Sequence, residues 1–585
     1  MEAEESSGRG VFAVRLVVGL LQGLALYGLY FAFEHKDWPA TQPMVFAPML
    51  LVALYVPLLV IQAAGNLRPR VLVVWTAVAA AIAAGFAIYD IWHNWWDLKD
   101  AGPSAQVIVF TYVFLFVCHA LISCMTHDRK IVPDYCTLFD VAWKQGVQFA
   151  IAACFVGAFW IVIWLGVALF EMIKLHFFRE FIMHSWFAIP VTAVAAAASI
   201  HITDIRANLV RGVRTLALML LSWLLPVIAL IAFTFLVSLV FTGLKPLWET
   251  RTATALLLAA AALLVILINA AYQDGDPERR PHHALRVAGT LASIELIFIV
   301  AIAAYALWLR VDQYGWTVDR FDTAAVTLVA ASFAAGYFIA ALLPSPWLKL
   351  IETWNFLTTI LGLAVLFALF TPIADPVRIS VNNQMERLKS GAVNAASFDY
   401  AYLRHHGGRF GHEALAELSQ SPNPKISKAA AGELKGPRFI ASPVLAHRAY
   451  KELGEAIVVH PQGRTLPASF TGHDVTKIGR RGGMEACLAR GCDAVMADLD
   501  GDGTEEIILL PTTNSETRWR AHVFRWDGAV WEEIAVSMGP HCKGDREALL
   551  KGDFKVVPHP TPLSDLEADG RRIEITNIPI PQLCK

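Results

Sequence analysis

The chain has 585 residues, 56% of them hydrophobic and 17% charged, with a formal net charge of −2 and a mean hydropathy of +0.49. A soluble protein carries about 25% charged residues, and a near-neutral chain has no basic field with which to hold nucleic acid. Composition therefore excludes an all-soluble chain and a nucleic-acid partner. The first ten residues are acidic and polar, without the basic segment and small-residue cleavage site of a secretory signal. The first apolar stretch is accordingly expected to be a retained helix.

A bilayer core about 30 Å thick needs roughly 20 apolar residues of helix. Stretches of that kind occur, in chain order, at residues 11–33, 43–63, 70–91, 104–124, 147–171, 186–202, 215–242, 252–272, 285–309, 323–343 and 350–373. The fold class expected is a polytopic bundle of about eleven transmembrane helices. The stretch 252–272 contains no charged side chain. By contrast, 186–202 is short and Ala-rich and has Pro190 near its start, which leaves a re-entrant segment open. Pro57 and Pro226 lie inside spans and predict kinks, because proline lacks an N–H and crowds the preceding turn.

Basic residues favour the cytoplasmic side of short loops. Arg68, Arg70, Arg129, Lys130, Arg206, Arg211, Arg214, Arg279 and Arg280 share the side of the N-terminus and outweigh the basic residues opposite. The N-terminus is therefore expected inside. Eleven spans, an odd number, then put the C-terminus outside.

Several membrane positions are candidates for function. Glu295 sits about ten residues into its span, where a carboxylate is costly and faces a partner or a water-filled path. It reads either as an ion relay or as a hydrogen-bonded lock between helices. Asn269 and Tyr272 read as polar helix–helix contacts. Asp90 with Trp92, Trp95 and Trp96 reads as an outer aromatic belt. Arg310 and Arg320 flank aromatics in an outer loop and are candidates for a lipid-headgroup or anion contact, against the plainer reading of snorkelling helix ends.

The last two hundred or so residues read as ordinary soluble protein, β-rich after about 437. In Asp498-Leu-Asp500-Gly-Asp502-Gly-Thr504-Glu505-Glu506, carboxylates at positions 1, 3 and 5 converge, Thr504 offers a carbonyl at position 7 and Glu506 stands at position 9. Hard oxygens gathered in this way suit Ca²⁺. Leu509 occupies position 12, where an EF-hand needs a bidentate Glu. The flanks Ala494-Val-Met-Ala and Ile507-Ile-Leu-Leu read as buried strands rather than helices. The arrangement resembles the strand–loop–strand calcium loops of FG-GAP and integrin-propeller repeats. The plainer alternative is an Asp/Gly-rich hairpin without metal. Further strands are expected at 455–460, 521–526, 530–536, 554–557 and 572–576. Cys487, Cys492, Cys542 and Cys584 form an even set in a small outer domain, which suggests two disulfides, with Cys487–Cys492 and Cys542–Cys584 the favoured pairings.

The stretches Thr242-Gly-Leu-Lys-Pro-Leu-Trp-Glu-Thr250, Arg310-Val-Asp-Gln-Tyr-Gly-Trp-Thr-Val-Asp-Arg320, Thr371-Pro-Ile-Ala-Asp-Pro376 and Ser380-Val-Asn-Asn-Gln-Met-Glu-Arg-Leu-Lys-Ser-Gly391 follow one another along the chain. In these the chain resembles the bacterial membrane family known as domain of unknown function 4153, over roughly residues 10 to 435. The resemblance implies a bacterial inner-membrane protein with a periplasmic C-terminus, and brings no catalytic residues with it.

The expected domains are a membrane domain over 1–374, a helical linker over 375–436 and a β-rich extracytoplasmic domain over 437–585. No Gly-x-Ser-x-Gly, P-loop or Gly-x-Gly-x-x-Gly occurs, and Ala416 replaces the second His of a zinc-protease helix begun by His412-Glu413. The reading leans away from an enzyme. The leading expectation is an envelope scaffold or sensor carrying a calcium-stabilised module that binds a periplasmic protein or envelope polymer. The alternative is a transporter or lipid translocase, with a membrane-embedded enzyme third.

Overall fold

The computed structural model describes residues 2–94, 102–244, 247, 252–276, 281–343 and 346–435, then 457–471, 492–511, 521–526, 531–536, 544–556, 566–568 and 571–573, apart from 206, 396, 462, 500 and 502. Two compact units result. One comprises residues 1–396 with 406–414, the other residues 397–405 with 415–585.

The first unit is a polytopic helical bundle. Eleven candidate spans among the described residues are long and apolar enough to cross a bilayer. They fall on α1 (Glu2–His35), α2 (Pro43–Ala63), α3 (Pro69–Asn94), α4 (Ala105–Asp128), α5 (Tyr135–Met172), α7 (Ser185–Ile205), the pair α8 (Ala207–Ser222) and α9 (Leu225–Thr242), α10 (Ala253–Tyr272), α11 (His283–Tyr314), α12 (Val318–Leu342) and α13 (Leu350–Leu369). The short α6 (Phe177–Met183) follows α5, and α14 (Pro376–Lys389) follows the last span.

The segment around 186–202, expected as a span with a re-entrant alternative, is a continuous helix of 21 residues and long enough to cross. Two other spans differ from the sequence expectation. Helix α5 begins at Tyr135 rather than near 147, so Asp140 and Lys144 lie within it. The stretch 215–242 is broken between Ser222 and Leu225, and Pro226 sits in the first turn of α9. A proline there starts a helix instead of kinking one, because the first turn has no intrahelical partner for an N–H. Pro57 lies inside α2 as expected.

Lipid offers no hydrophobic drive to pack helices, so close approach and van der Waals fit must hold the bundle. Helix α1 packs on α7 through glycines. A Cβ on Gly19 would stand 2.7 Å from that of Ala197, and one on Gly23 would collide with Pro190. Gly336 of α12 likewise abuts the Trp354 ring of α13. One core gathers Leu264, Ala292, Leu296, Ala303 and Tyr337 from α10, α11 and α12. A second gathers Ala47, Leu51, Ala79, Ala83, Ile91 and Leu115 from α2, α3 and α4. Large apolar side chains such as Val162, Leu165, Leu230 and Val240 point outward instead, which suits a helix whose solvent is hydrocarbon.

The second unit holds most of α15 (Tyr400–His406), the last turn of α16 (Gly408–Ser419), all of α17 (Pro424–Lys435) and a sheet. The strands β1 (Ile457–His460), β2 (Cys492–Ala497), β3 (Glu506–Pro511), β4 (His522–Trp526) and β5 (Trp531–Val536) lie in that order, with β1 parallel to β2 and the rest antiparallel. Both faces are covered. Ala494, Met496, Ile507, Leu509 and Phe524 meet Phe470 and Trp531 on one side, while Val495, Ile508 and Leu510 meet Leu549, Leu550 and Phe554 on the other. Burial on two faces explains the unbroken apolar runs of β2 and β3. Phe554 packs on the sheet, but residues 554–556 join no strand. The short pair β6 (Leu566–Ala568) and β7 (Arg571–Ile573) is antiparallel.

Candidate functional site

The Asp/Gly loop joins β2 to β3 as a hairpin closed by the Ala497–Glu506 pair. Its backbone wraps around Asp498. Oδ1 accepts from Gly501 N at 2.7 Å, and Oδ2 from Gly503 N at 3.0 Å. Both glycines have positive φ, +79° and +85°, a region that a side chain disfavours. Glu506 is fully buried at the foot of the loop. Its Oε2 accepts from Leu499 N at 2.8 Å, while Oε1 is buried and has no hydrogen-bond partner among the described residues. An unpartnered buried carboxylate oxygen carries its desolvation cost uncompensated. Thr504 is exposed beside it. Asp500 and Asp502 lie outside the described residues, and among the described ones no three His, Cys, Asp or Glu side chains gather at a point. Nearby, Arg464 forks onto Glu505 at 2.8 and 2.6 Å and holds the loop against the Met496 carbonyl.

Cys492 heads β2 and is buried, and the free thiols Cys118, Cys124, Cys136 and Cys154 all lie in α4 and α5. Cys487, Cys542 and Cys584 lie outside the described residues. So do Trp95 and Trp96. Asp90 is not a free belt residue: it accepts from Ser104 N, Ser104 Oγ and Asn94 at 2.7–3.0 Å, which ties α3 to the start of α4.

In the membrane unit, Glu295 is 2% exposed, and both its carboxylate oxygens are buried without a partner among the described residues. Its helix packs against α9, α10 and α12. Asn269 makes the helix–helix contacts expected of it. Its Nδ2 donates to Tyr337 Oη (2.6 Å), and its Oδ1 accepts from Asn355 (2.7 Å) and Tyr135 (3.3 Å), joining α10 to α5, α12 and α13. Tyr337 in turn donates to Asn355 Oδ1 at 2.8 Å. Tyr272 donates to Glu352 at 2.7 Å, and Lys349 pairs with the same oxygen.

A buried ion cluster was not expected from the sequence. Arg15 of α1, 1% exposed, donates to Asp204 of α7 at 2.8 Å, to the Ala64 carbonyl at 2.7 Å and to His201 at 3.3 Å. Lys144 of α5 holds the other Asp204 oxygen at 2.7 Å. A carboxylate inside the apolar run 185–205 was the available signal. Its partner lies 189 residues away and carries no sequence mark. Arg214 also pairs with Asp140.

Arg320 donates to the Gly315 carbonyl at 2.7 Å and lies 5.4 Å from the Tyr314 ring, while Arg310 is half-buried in the last turns of α11. Gly315, at φ +76°, leaves room that Asn383, Gln384 and Arg387 of α14 fill. Asn383 accepts from Trp316 N at 2.9 Å, Gln384 donates to Trp316 O at 2.8 Å, and Arg387 donates to Gln313 O at 2.9 Å.

A family model described as Domain of unknown function (DUF4153) matches residues 21–419. The chain belongs to this family. No curated protein and no solved structure matches it. The DUF4153 region takes in the whole set of spans from α2 onward and ends ahead of the five-stranded sheet. Within it, the 310–320 and 380–391 stretches are hydrogen-bonded to each other, so two separate motifs form one structural joint.

The Arg15–Asp204 pair yields a direct expectation. Removing one partner of a buried pair strands the other, at a cost of about 3–5 kcal/mol. Asp204→Ala should therefore lower the thermal stability of the purified protein strongly. Arg15→Met combined with Asp204→Leu should recover much of the loss. Thermal melts in detergent measure this, and an Asp204→Ala melt equal to wild type would remove the cluster from the account.

Proposed function

We propose that this protein is a non-enzymatic component of a bacterial cell envelope. Its DUF4153 bundle sits in the inner membrane and anchors a periplasmic module that binds Ca²⁺ and, through it, a partner protein or envelope polymer. The observation that carries the reading is the orphaned Oε1 of Glu506 at the base of a loop wrapped around Asp498. A divalent cation would neutralise that oxygen, and an FG-GAP-like loop presents the groups to do it. Asp498, Asp500, Asp502, the Thr504 carbonyl and Glu506 are the ligands the reading assigns, all hard oxygens of the kind Ca²⁺ takes. Bound there, the ion would lock the β2–β3 hairpin and stabilise the sheet rather than take part in a reaction.

The N-terminus inside, the C-terminus outside and the disulfides Cys487–Cys492 and Cys542–Cys584 belong to the same reading. An oxidising compartment supports disulfides, and calcium is plentiful outside the cytoplasm. The basic loops shared with the N-terminus support the orientation.

The test uses the full chain in detergent or nanodiscs. Ca²⁺ at a hundredfold excess over Kd stabilises the folded state by about 2.7 kcal/mol, so proteolysis of the 437–585 region should slow markedly on adding Ca²⁺. Asp498→Asn with Glu506→Gln should abolish the protection. Equal cleavage of wild type with and without the ion would end the calcium reading.

A second reading, a transporter or lipid translocase, is favoured by one observation: a carboxylate deep in the bundle with both oxygens unpartnered. Such a group takes up a proton or cation readily. On this reading Glu295→Gln abolishes proton-coupled flux in reconstituted liposomes, and flux that survives the change would contradict it.

A further inference from the structure

Two cavities adjoin inside the membrane unit. The larger, about 520 Å³, is walled by α4, α10, α12 and α13, and its lining is apolar apart from Gln106 and Asp322. The smaller, about 240 Å³, shares Gln106 and Asp322 with it and adds Tyr89, Asp90, His93 and Asp375. The last turns of α3 and α13 and the first turns of α4, α12 and α14 build the smaller one, so it lies at one end of the bundle. An apolar chamber at membrane depth thus opens through a shared pair of side chains into a polar chamber at the membrane surface.

That order of surfaces is the order of a lipid, chain first and headgroup last. The volume of the apolar chamber falls in the range of about 300–1,000 Å³ typical of ligand pockets. Ile266 and Val326 line it and are also 51% and 56% exposed on the flank of the bundle. A hydrocarbon chain can therefore enter sideways from the bilayer.

The polar chamber selects the head. Three carboxylates line it, Asp90, Asp322 and Asp375, and no Lys or Arg does among the described residues. Two of the three are committed to the walls. Asp90 is held by Ser104 and Asn94, while Asp375 caps α14 and accepts from Tyr89 at 2.5 Å. Asp322 differs. Its Oδ2 accepts from Gln106 at 3.1 Å, and Oδ1 takes no hydrogen bond among the described residues. It stands at the junction of the chambers, where a headgroup would sit. A half-desolvated carboxylate favours a charged donor.

We propose that these chambers form a binding site for a membrane lipid, with one hydrocarbon chain between α10, α12 and α13 and a primary-ammonium headgroup against Asp322. The proposal does not rest on the calcium loop or on transport. A lipid held there would fasten α3, α4, α12 and α13 to one another at the end where α14 begins.

The experiment compares phosphatidylethanolamine with phosphatidylglycerol of identical chains, offered to the full-length protein in mild detergent and read by native mass spectrometry. Wild type should retain the ethanolamine lipid about tenfold better. Asp322→Asn should bring the two lipids to parity while a bound lipid remains. Ala262→Phe and Val329→Phe, two separate fillings of the apolar chamber, should lose lipid of either kind while eluting as folded protein. The proposal is overturned if wild type holds both heads equally, if Asp322→Asn keeps the preference, or if either folded filling variant holds lipid as wild type does. A lipid-free dimer that buries Ile266 and Val326 against a second copy would overturn it as well.

Discussion

Inside a bilayer no water is present to satisfy a polar group, and the rest of the membrane unit follows from that constraint. Every backbone N–H and C=O must find its partner within the segment, which leaves helices as the form the chain can take there. Side chains obey the same rule. Arg15 reaches Asp204, His201 and a free carbonyl, and Asn269, Tyr337, Asn355 and Tyr135 close a network among four helices. These bonds sit where glycine and alanine let backbones approach, so polar satisfaction and close packing work at the same interfaces. Against that background, Glu295 is conspicuous because both its oxygens lack a partner among the described residues.

The C-terminal sheet meets a different constraint, since it must bury two faces with few strands. Residues 494–497 of β2 and 507–510 of β3 do so by being apolar, and the Asp/Gly hairpin connects the two strands. Glu506 has its carboxylate fully buried in an otherwise apolar strand. A sequence retains a buried acid at such a position only when something offsets its desolvation. In the membrane unit, Asp322 raises the same question at the junction of two chambers. In both acids the local hydrogen bonds leave one oxygen to spare among the described residues.

Much of this was legible in the residues. Hydropathy located all eleven spans, and the apolar runs on either side of Asp498 marked β2 and β3. Boundaries were less legible. Helix α5 begins well before its apolar core because Tyr135, Asp140 and Lys144 continue the helix beyond the stretch that hydropathy detects. The break before Pro226 was hidden because apolar residues run straight through it, and hydropathy does not distinguish a kinked helix from two helices. Pairings were the least legible. Asp204 is visible as a charge in an apolar run, whereas Arg15 lay among residues that looked like an ordinary helix end. The joint between the 310–320 and 380–391 motifs needed three dimensions, since each reads alone as a loop or a short helix.

The central claim is that a membrane bundle carries its sheet on the side of the membrane opposite to the N-terminus. Reporter fusions placed after Lys585 and within the 274–280 loop test it most directly. The account predicts a reporter active only outside the cytoplasm after Lys585 and only inside within 274–280. A C-terminal reporter active in the cytoplasm would contradict it, leaving the Asp498 loop facing scarce calcium and the cysteines in a reducing compartment.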